Sequence, residues 1–445
     1  MEKVFVYQQK EYDPAGIREV AREIIDGSGV SPKGKSVFVK PSFVYPSHSP
    51  ATVGVVTQPP FVRGVVQALL DLGARKVMVG EDSVLGPSRA AFYAMGIYPY
   101  IHDIATPIYF DEERHKMVDV PNPVIQGSFV VPAIWPEADL FVSLPKIKVN
   151  QFAKVTLSVK NNLGFQRQGP RVHNHNDGTL QEKIADLYRV RPPDLVLADS
   201  IVAGEGQGPM LARPYELGVM VGGANGVAVD AVACRLMGFD PFEIDHLCYL
   251  EDAGIGPLSD RDIEVVGEKV SDFAHDFDRP STQLVGIHPN LRVFQGSERC
   301  CTNGCRGMVR CALDAWLENN APLREMNIIV GKGVGDLPKK LPRARTLVVG
   351  DCAVEHASRG HFIRGCPPRP MRTAMTLASF QTPLIVTPSR YRDLASTHQP
   401  DSGISKAEHV FNQWMIPNPM LYRDIGKGYV AGYGWKAAKF FRPVF

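Results

Sequence analysis

Lys146, Lys148, Lys154 and Lys160 fall within Leu144 to Gly164, LPKIKVNQFAKVTLSVKNNLG, and no Asp or Glu stands among them. Burying an ammonium group without an anionic partner is costly, so such a cluster either stays solvated or meets an anion. Thr156, Ser158, Asn161, Asn162 and Gly164 are interleaved with the lysines. Hydroxyls, amides and an open backbone are the parts from which oxyanion sites are built. The pattern predicts a pocket for a small carboxylate or phosphate, with Lys146, Lys148, Lys160 and Asn161 as contacts. The alternative is a solvated basic face.

Cysteines form the second constellation. Six of the eight lie between residues 300 and 366: Cys300, Cys301, Cys305 and Cys311 within a dozen positions, then Cys352 in GDCAVEH and Cys366 in RGCPPRP. In a cytoplasmic protein such crowding points to metal or redox chemistry before disulfides. Thiolates favour zinc, iron–sulfur or copper(I). A structural zinc site shows paired C-x₂₋₄-C knuckles, and only Cys301-x₃-Cys305 qualifies here. The other thiols come singly from distant loops, which suits a cluster pocket. Gly365 frees the backbone beside Cys366, and Pro367-Pro368 stiffens the turn. The expected ligands are Cys301, Cys305, Cys352 and Cys366, holding a 4Fe-4S cluster, with zinc as the alternative. Cys300 adjoins Cys301, and Cys311 faces away from the stripe Val309, Ala312, Leu313, Trp316 and Leu317, so both read as ordinary thiols. Cys234 and Cys248, in apolar helices, read as core.

These residues need elements to hold them. ADLFVS, residues 138–143, reads as a buried strand that delivers the lysines. In strand conformation Lys146 and Lys148 share one side, and Lys154 and Lys160 share a side of a second strand, VTLSVK. Upstream, strand Val4–Tyr7, helix Pro14–Ile25, strand Ser36–Pro41, a helix from Pro59 to Gly73 and strand Lys76–Gly80 make a β-α-β-α-β pattern. Ligands of such sheets bind outside the carboxyl ends of the strands, which singles out Lys40, Glu81 and Asp82. The plainer reading of Lys40 is a solvent-facing strand end. No G-x-G-x-x-G follows the first strand, so a dinucleotide site is disfavoured. Residues 83–135 read as an excursion that returns to the sheet at Leu140.

Downstream, RVHNHNDGTL sets His173 and His175 two apart. Two histidines are too few to define a metal site, but His173 could carry protons near neutral pH. The helix QEKIADLYRV leads to a strand ending in Asp199 and to a loop in which Gly204, Gly206 and Gly208 surround Glu205. Asp199 and Glu205 are therefore candidate proton carriers at the same edge as the lysines, and a plain tight turn is the alternative for the glycines. Strand Leu217–Gly222, a helix Val227–Met237 containing Asp230, and strand DIEVVGE close a first domain.

The expected architecture is α/β: a mostly parallel sheet flanked by helices over residues 1–270, a smaller α/β cysteine-containing domain over 285–381, and an aromatic tail over 382–445 that packs on the body or a partner. With 49 basic against 47 acidic residues the net charge is +2, and no element concentrates a basic excess, so a nucleic-acid partner is not expected. No apolar run spans a bilayer and no leader opens the chain. The cytoplasm is the expected location, a homo-oligomer the open possibility.

The lysine stretch resembles the signature of the domain of unknown function 362 family: Asp139, Leu144-Pro145-Lys146-Ile147-Lys148, Val155-Thr156 and Lys160-Asn161-Asn162-Leu163-Gly164. Val39-Lys40-Pro41-Ser42 resembles the family's V-K-P-N, Ala198 to Pro209 its V-V-D-G-I-V-A-M-E-G-x-G-P, and Ala228 to Ala233 its A-V-D-A-V-A. The resemblance raises Lys40 to a substrate contact and supports a His in the loop of His173. One departure is Asn150 where a His is usual, so no proton-transfer role carries over there. Long family members carry iron–sulfur ligands near their C-termini, often as C-x₂-C-x₂-C runs, from which this chain departs. Gly365-Cys366-Pro367-Pro368 is similar to a cluster-ligating turn in the small subunits of nickel hydrogenases and respiratory NADH dehydrogenases. The implied function is an iron–sulfur oxidoreductase acting on a small anionic molecule. The lysines hold the substrate, electrons pass singly with a ferredoxin-type partner, and Asp199, Glu205 or His173 moves protons. The alternatives are an isomerase or transferase with structural zinc, or an electron or metal carrier without turnover.

Overall fold

Asp13 sets the first helix: its carboxylate accepts from the N–H groups of Ala15 and Gly16, Pro14 stands at the first helical position, and Gly29 ends it at φ 72°. Each is the residue that the corresponding helix end favours. The computed structural model describes residues 1–44, 52–82, 87–167, 170–171, 174–175, 178–318, 323–366, 368, 373 and 377. The described residues divide into two units, one drawn from 1–173 and 179–280, the other from 174–178 and the residues after 280.

The strands of the first unit are β1 (Glu2–Gln8), β2 (Ser36–Pro41), β3 (Lys76–Glu81), β4 (Thr106–Tyr109), β5 (His115–Asp119), β6 (Ser128–Pro132), β7 (Leu140–Leu144), β8 (Lys146–Asn150), β9 (Lys154–Thr156), β10 (Leu195–Gln207), β11 (Leu211–Gly223) and β12 (Ile263–Gly267). The large sheet runs β12-β1-β11-β10-β7-β2-β3-β4, with β8 pairing β10 and β9, while β5 and β6 form a separate hairpin. From β10 through β7, β2 and β3 to β4 every pairing is parallel. β11 runs antiparallel to both β10 and β1.

The central strands are buried on both faces, which is why they read as continuous apolar runs. Val37, Val39, Val77, Val79, Leu140 and Val142 face the helices Pro14–Ser28 and Pro59–Asp71. Phe38, Met78, Phe141, Val196 and Ala198 face the helices Leu180–Val190 and Gly226–Leu236. The chain leaves β2 towards β3 over one face and leaves β7 towards β10 over the other. The carboxyl ends of β2 and β7 therefore flank a topological switch point, where open α/β sheets bind ligands.

Three local expectations change. β1 is not the neighbour of β2: β11, β10 and β7 lie between them, because periodicity specifies a strand but not its partner. The segment VTLSVK is strand only to Thr156. Ser158–Asn161 is a helical turn whose first N–H groups, of Ser158 and Val159, bond to the buried carboxylate of Asp230. Lys160 therefore sits on a helix, and Lys154 donates elsewhere, to the Glu243 carbonyl. The glycine loop is also strand, since β10 continues through Gly204 and Gly206 to Gln207 and forms a long hairpin with β11. A Cβ on Gly204 would collide with the Gly54 carbonyl, so that glycine permits close backbone approach rather than a turn.

In the second unit, β13 (Leu291–Gln295), β14 (Met326–Val330), β15 (Thr346–Val349) and β16 (His361–Ile363) form a parallel sheet in that order. The helix Gly307–Glu318 packs Val309, Ala312 and Leu313 into its core. β14 and β15 stop at Gly331 and Gly350, with φ 90° and 85°. Residues 367–381, apart from 368, 373 and 377, and the tail 382–445 lie outside the described residues. Among the described residues no helix is long and apolar enough to cross a membrane.

Candidate functional site

The switch point is lined with charge. Lys40 ends β2, Glu81 ends β3, Lys146 and Lys148 begin β8, and Asp199 lies on β10 opposite Lys146. Each of these five side chains is buried.

Two of the lysines have counter-ions. Lys40 Nζ lies 2.5 Å from Glu81 Oε2, donates to Asn161 Oδ1 at 3.0 Å, and sits 5.3 Å above the Phe165 ring. Phe165 in turn stacks on Trp135 at 3.9 Å. Asn161 ties β2 to β7 by donating to the Lys40 carbonyl and to Ser143 Oγ. Gly164 is required by this pair: a Cβ there would stand 2.6 Å from Glu81 Oε1 and 2.7 Å from Lys40 Nζ. Lys146 Nζ lies 3.0 Å from Asp199 Oδ2 and donates to the Tyr12 hydroxyl at 2.8 Å. Tyr12 donates on to Asp199 Oδ1 at 2.8 Å, and the Gln58 N–H, just ahead of the helix Pro59–Asp71, donates to Asp199 Oδ2 at 3.0 Å. A carboxylate at a helix N-terminus is favourably placed. Both oxygens of Asp199 are thus engaged, and the residue acts as the counter-ion of Lys146. Burial lowers the pKa of Lys40 and Lys146, and their carboxylates pull them back up.

The other two lysines differ. Lys148 is fully buried, and its ammonium donates to the Val55 carbonyl with no carboxylate in ion-pair range among the described residues. Burial drives its pKa well below 10.5, and Lys160, Lys146 and Lys40 push the same way, against Glu81 alone. Lys160 is half-buried and likewise has no carboxylate partner among the described residues. Burial, Arg171 and Lys40 bring it down to about 8. Arg171 pairs with Asp82 at 3.3 Å. Asp82 is pushed up to about 6 by burial, partly offset by Arg171. Three ion pairs therefore close on themselves, and Lys148 and Lys160 remain without a carboxylate partner among the described residues.

Residues 54–58 roof the cluster. The Val55 carbonyl accepts from Lys148, Gln58 gives its N–H to Asp199, and Thr57 Oγ1 donates to the Leu144 carbonyl while accepting from Ser42 N. Gly54 packs so closely that a Cβ would stand 2.8 Å from the Ala203 carbonyl.

The structure thus brings Lys40, Lys146, Lys148, Lys160, Asn161 and Asp199 together. Glu205 bonds to different groups: Arg213, the Asp278 N–H and, at 3.8 Å, His275. His173 lies outside the described residues. Sequence reasoning missed Tyr12, Arg171, Gln58 and the Val55 carbonyl. Tyr12 stands 187 positions from Asp199 with no local pattern to mark it.

In the second unit the cysteines follow the carboxyl ends of the parallel strands: Cys300 and Cys301 after β13, Cys352 after β15 and Cys366 after β16. Cys305 Sγ lies against Gly350, where a Cβ would stand 2.5 Å from the sulfur. The Cys352 and Cys366 segments are joined by Asp351 N to Gly365 O and by Gly365 N to Asp351 Oδ1, each 3.0 Å. Burial pushes the Cys305 thiol up to about 12, with Cys300, Cys301, Cys352 and Cys366 adding to it. Cys300 is pushed up to about 11 by burial, offset by Arg306 and reinforced by Cys301 and Cys352, so it belongs to the same neighbourhood. Cys301 raises the pKa of Arg299, with Cys352 and Cys366 adding to it. Among the described residues no three His, Cys, Asp or Glu side chains are arranged to enclose a metal ion. What fits a thiolate-ligated centre is the donor chemistry and the meeting of three loops at one sheet edge.

A two-faced α/β unit with a lysine-lined switch point is the class that fold and site define. Residues 37–235 match the family model described as Domain of unknown function (DUF362). The chain is 24% identical over 271 residues to a thylakoid-associated protein of Synechocystis sp., covering 58% of this chain and 82% of that one. Among solved structures, the lactate racemase apoprotein from Thermoanaerobacterium thermosaccharolyticum aligns with a TM-score of 0.35 and 12% identity over 52% of this chain. The chain spans 56% of that protein's length.

Proposed function

We propose that this protein is an iron–sulfur oxidoreductase whose first unit holds a small carboxylate- or phosphate-bearing substrate at the lysine cluster. The observation that carries the reading is the charge imbalance at the switch point. Lys40, Lys146 and Arg171 have carboxylate partners, while Lys148 and Lys160 have none among the described residues. An anion would meet the charge of Lys160 and a hydrogen-bond donor in Lys148, and burial strengthens that attraction. Asp82, at about 6, is the carboxyl of the site whose protonation changes near neutral pH, which suits it to proton transfer.

The redox half rests on Cys301, Cys305, Cys352 and Cys366. A cluster bound by these thiolates would supply single-electron transfer, with a ferredoxin-type partner as donor or acceptor. Reduced thiols suit the cytoplasm. Association with thylakoids, as the name of the Synechocystis relative records for that protein, needs no spanning helix.

Anaerobic purification followed by iron, sulfide and zinc analysis tests the redox half. Iron and acid-labile sulfide in comparable amounts are expected, and zinc without sulfide overturns it. Thermal stabilisation by inorganic phosphate or a simple carboxylate, lost in Lys160→Met, tests the anion half.

A further inference from the structure

We infer that Lys148 is a nucleophilic amine that condenses with the carbonyl group of an anionic aldehyde or α-keto acid, forming an imine within the lysine cluster. The inference rests on the anion-pocket reading and gives its two uncompensated lysines different roles. Lys148 points into the cluster from β8, fully buried, and its one hydrogen bond among the described residues goes to a carbonyl, which an amine can satisfy as an ammonium does. The groups that face it are Lys160, Lys146 and Lys40 against Glu81, and Glu81 is already engaged with Lys40. Surrounding cations favour the neutral amine, the usual activation of a nucleophilic lysine. Lys160, half-buried beside Arg171 and Lys40, keeps its charge more readily and can hold the substrate's anionic group. Neighbouring titratable groups driven apart in this way divide a site into nucleophile and charge carrier.

The step balances without an oxidant. The Nζ lone pair adds to the carbonyl carbon as the C=O π bond breaks, and one proton passes from that nitrogen to the former carbonyl oxygen to give a carbinolamine. Loss of that hydroxyl as water, together with the nitrogen's remaining proton, leaves a carbon–nitrogen double bond to Lys148. Hydrolysis reverses each transfer.

The test is reductive trapping on the full chain at neutral pH: pyruvate or methyl pyruvate with cyanoborohydride, then peptide mapping, each rate being normalised to that of Nα-acetyl-lysine. Pyruvate is expected to label Lys148 ahead of the surface lysines, and Lys160→Met should slow labelling by about tenfold or more while leaving methyl pyruvate unaffected. Lys148→Met and Lys148→Arg, with circular dichroism confirming the native fold, should lose the labelled peptide. Labelling confined to surface lysines, or labelling of Lys148 that ignores both the probe's charge and Lys160, overturns the inference. Phosphate stabilisation measured in parallel separates the two readings. If it persists while Lys148 stays unlabelled, the anion pocket stands and the imine falls; if it is absent as well, both fall.

Discussion

Replacing Lys148 with Met should make the protein more stable. A lysine whose pKa is lower in the folded than in the unfolded chain destabilises the fold below its unfolded value, by about 1.36 kcal/mol for each unit of lowering that lies above the working pH. The folded-state pKa of Lys148 lies well below 10.5 because the side chain is buried among cations. Methionine fills similar space without that penalty. It also leaves the Val55 carbonyl without its donor, at about 1–3 kcal/mol. Replacing buried ionic groups by apolar ones of similar volume gains up to about 1–4 kcal/mol, which is roughly 2–15 °C in the melting temperature of a unit this size. The sign with pH follows from the direction of the shift. Between the folded and unfolded values the unfolded chain binds more protons, so the wild type gains stability as pH rises towards 10.5 and the variant does not. The advantage at pH 7 should therefore close near pH 10. Calorimetric scans of both proteins across that range check this, and a variant less stable at every pH would refute the assignment of an unpaired buried amine.

Three further outcomes are expected. Glu81→Gln leaves Lys40 buried with only neutral acceptors and should cost about 3–5 kcal/mol in urea unfolding, most of it recovered in the double variant Lys40→Met/Glu81→Leu. Gly164→Ala sets a methyl against the Lys40–Glu81 pair and should cost about 1–3 kcal/mol by the same measurement. After anaerobic reconstitution, Cys305→Ser should lose most bound iron and sulfide whereas Cys248→Ser, remote in sequence and bonded to the Phe242 carbonyl, should keep both, as elemental analysis would report.

Much of the scaffold was legible because its strands and helices carry strong local signals. Ser36–Pro41 and Lys76–Glu81 are apolar runs ended by charge, and Pro14 and Pro59 open their helices as the sequence suggests. The lysine cluster was legible for a related reason, since unpaired charge beside a buried strand must be accounted for locally. What was not legible depends on distant partners. β1 joins the sheet beside β11, a choice made by residues more than 200 positions away. Asp230 converts what reads as strand into the turn that carries Lys160. Asp199 read as a free carboxylate only because Tyr12 and Gln58, which occupy it, carry no motif.

The five residues from Gly54 to Gln58 touch Lys148 through a carbonyl and Asp199 through an amide. A molecule that captures the lysine must loosen one end of this short tether, and the strain travels along it to the other end within a few bonds. The Gln58 amide proton is consequently a native gauge of occupancy: its exchange with deuterated solvent should quicken when the neighbouring amine is taken, with no chromophore, label or turnover needed to see it.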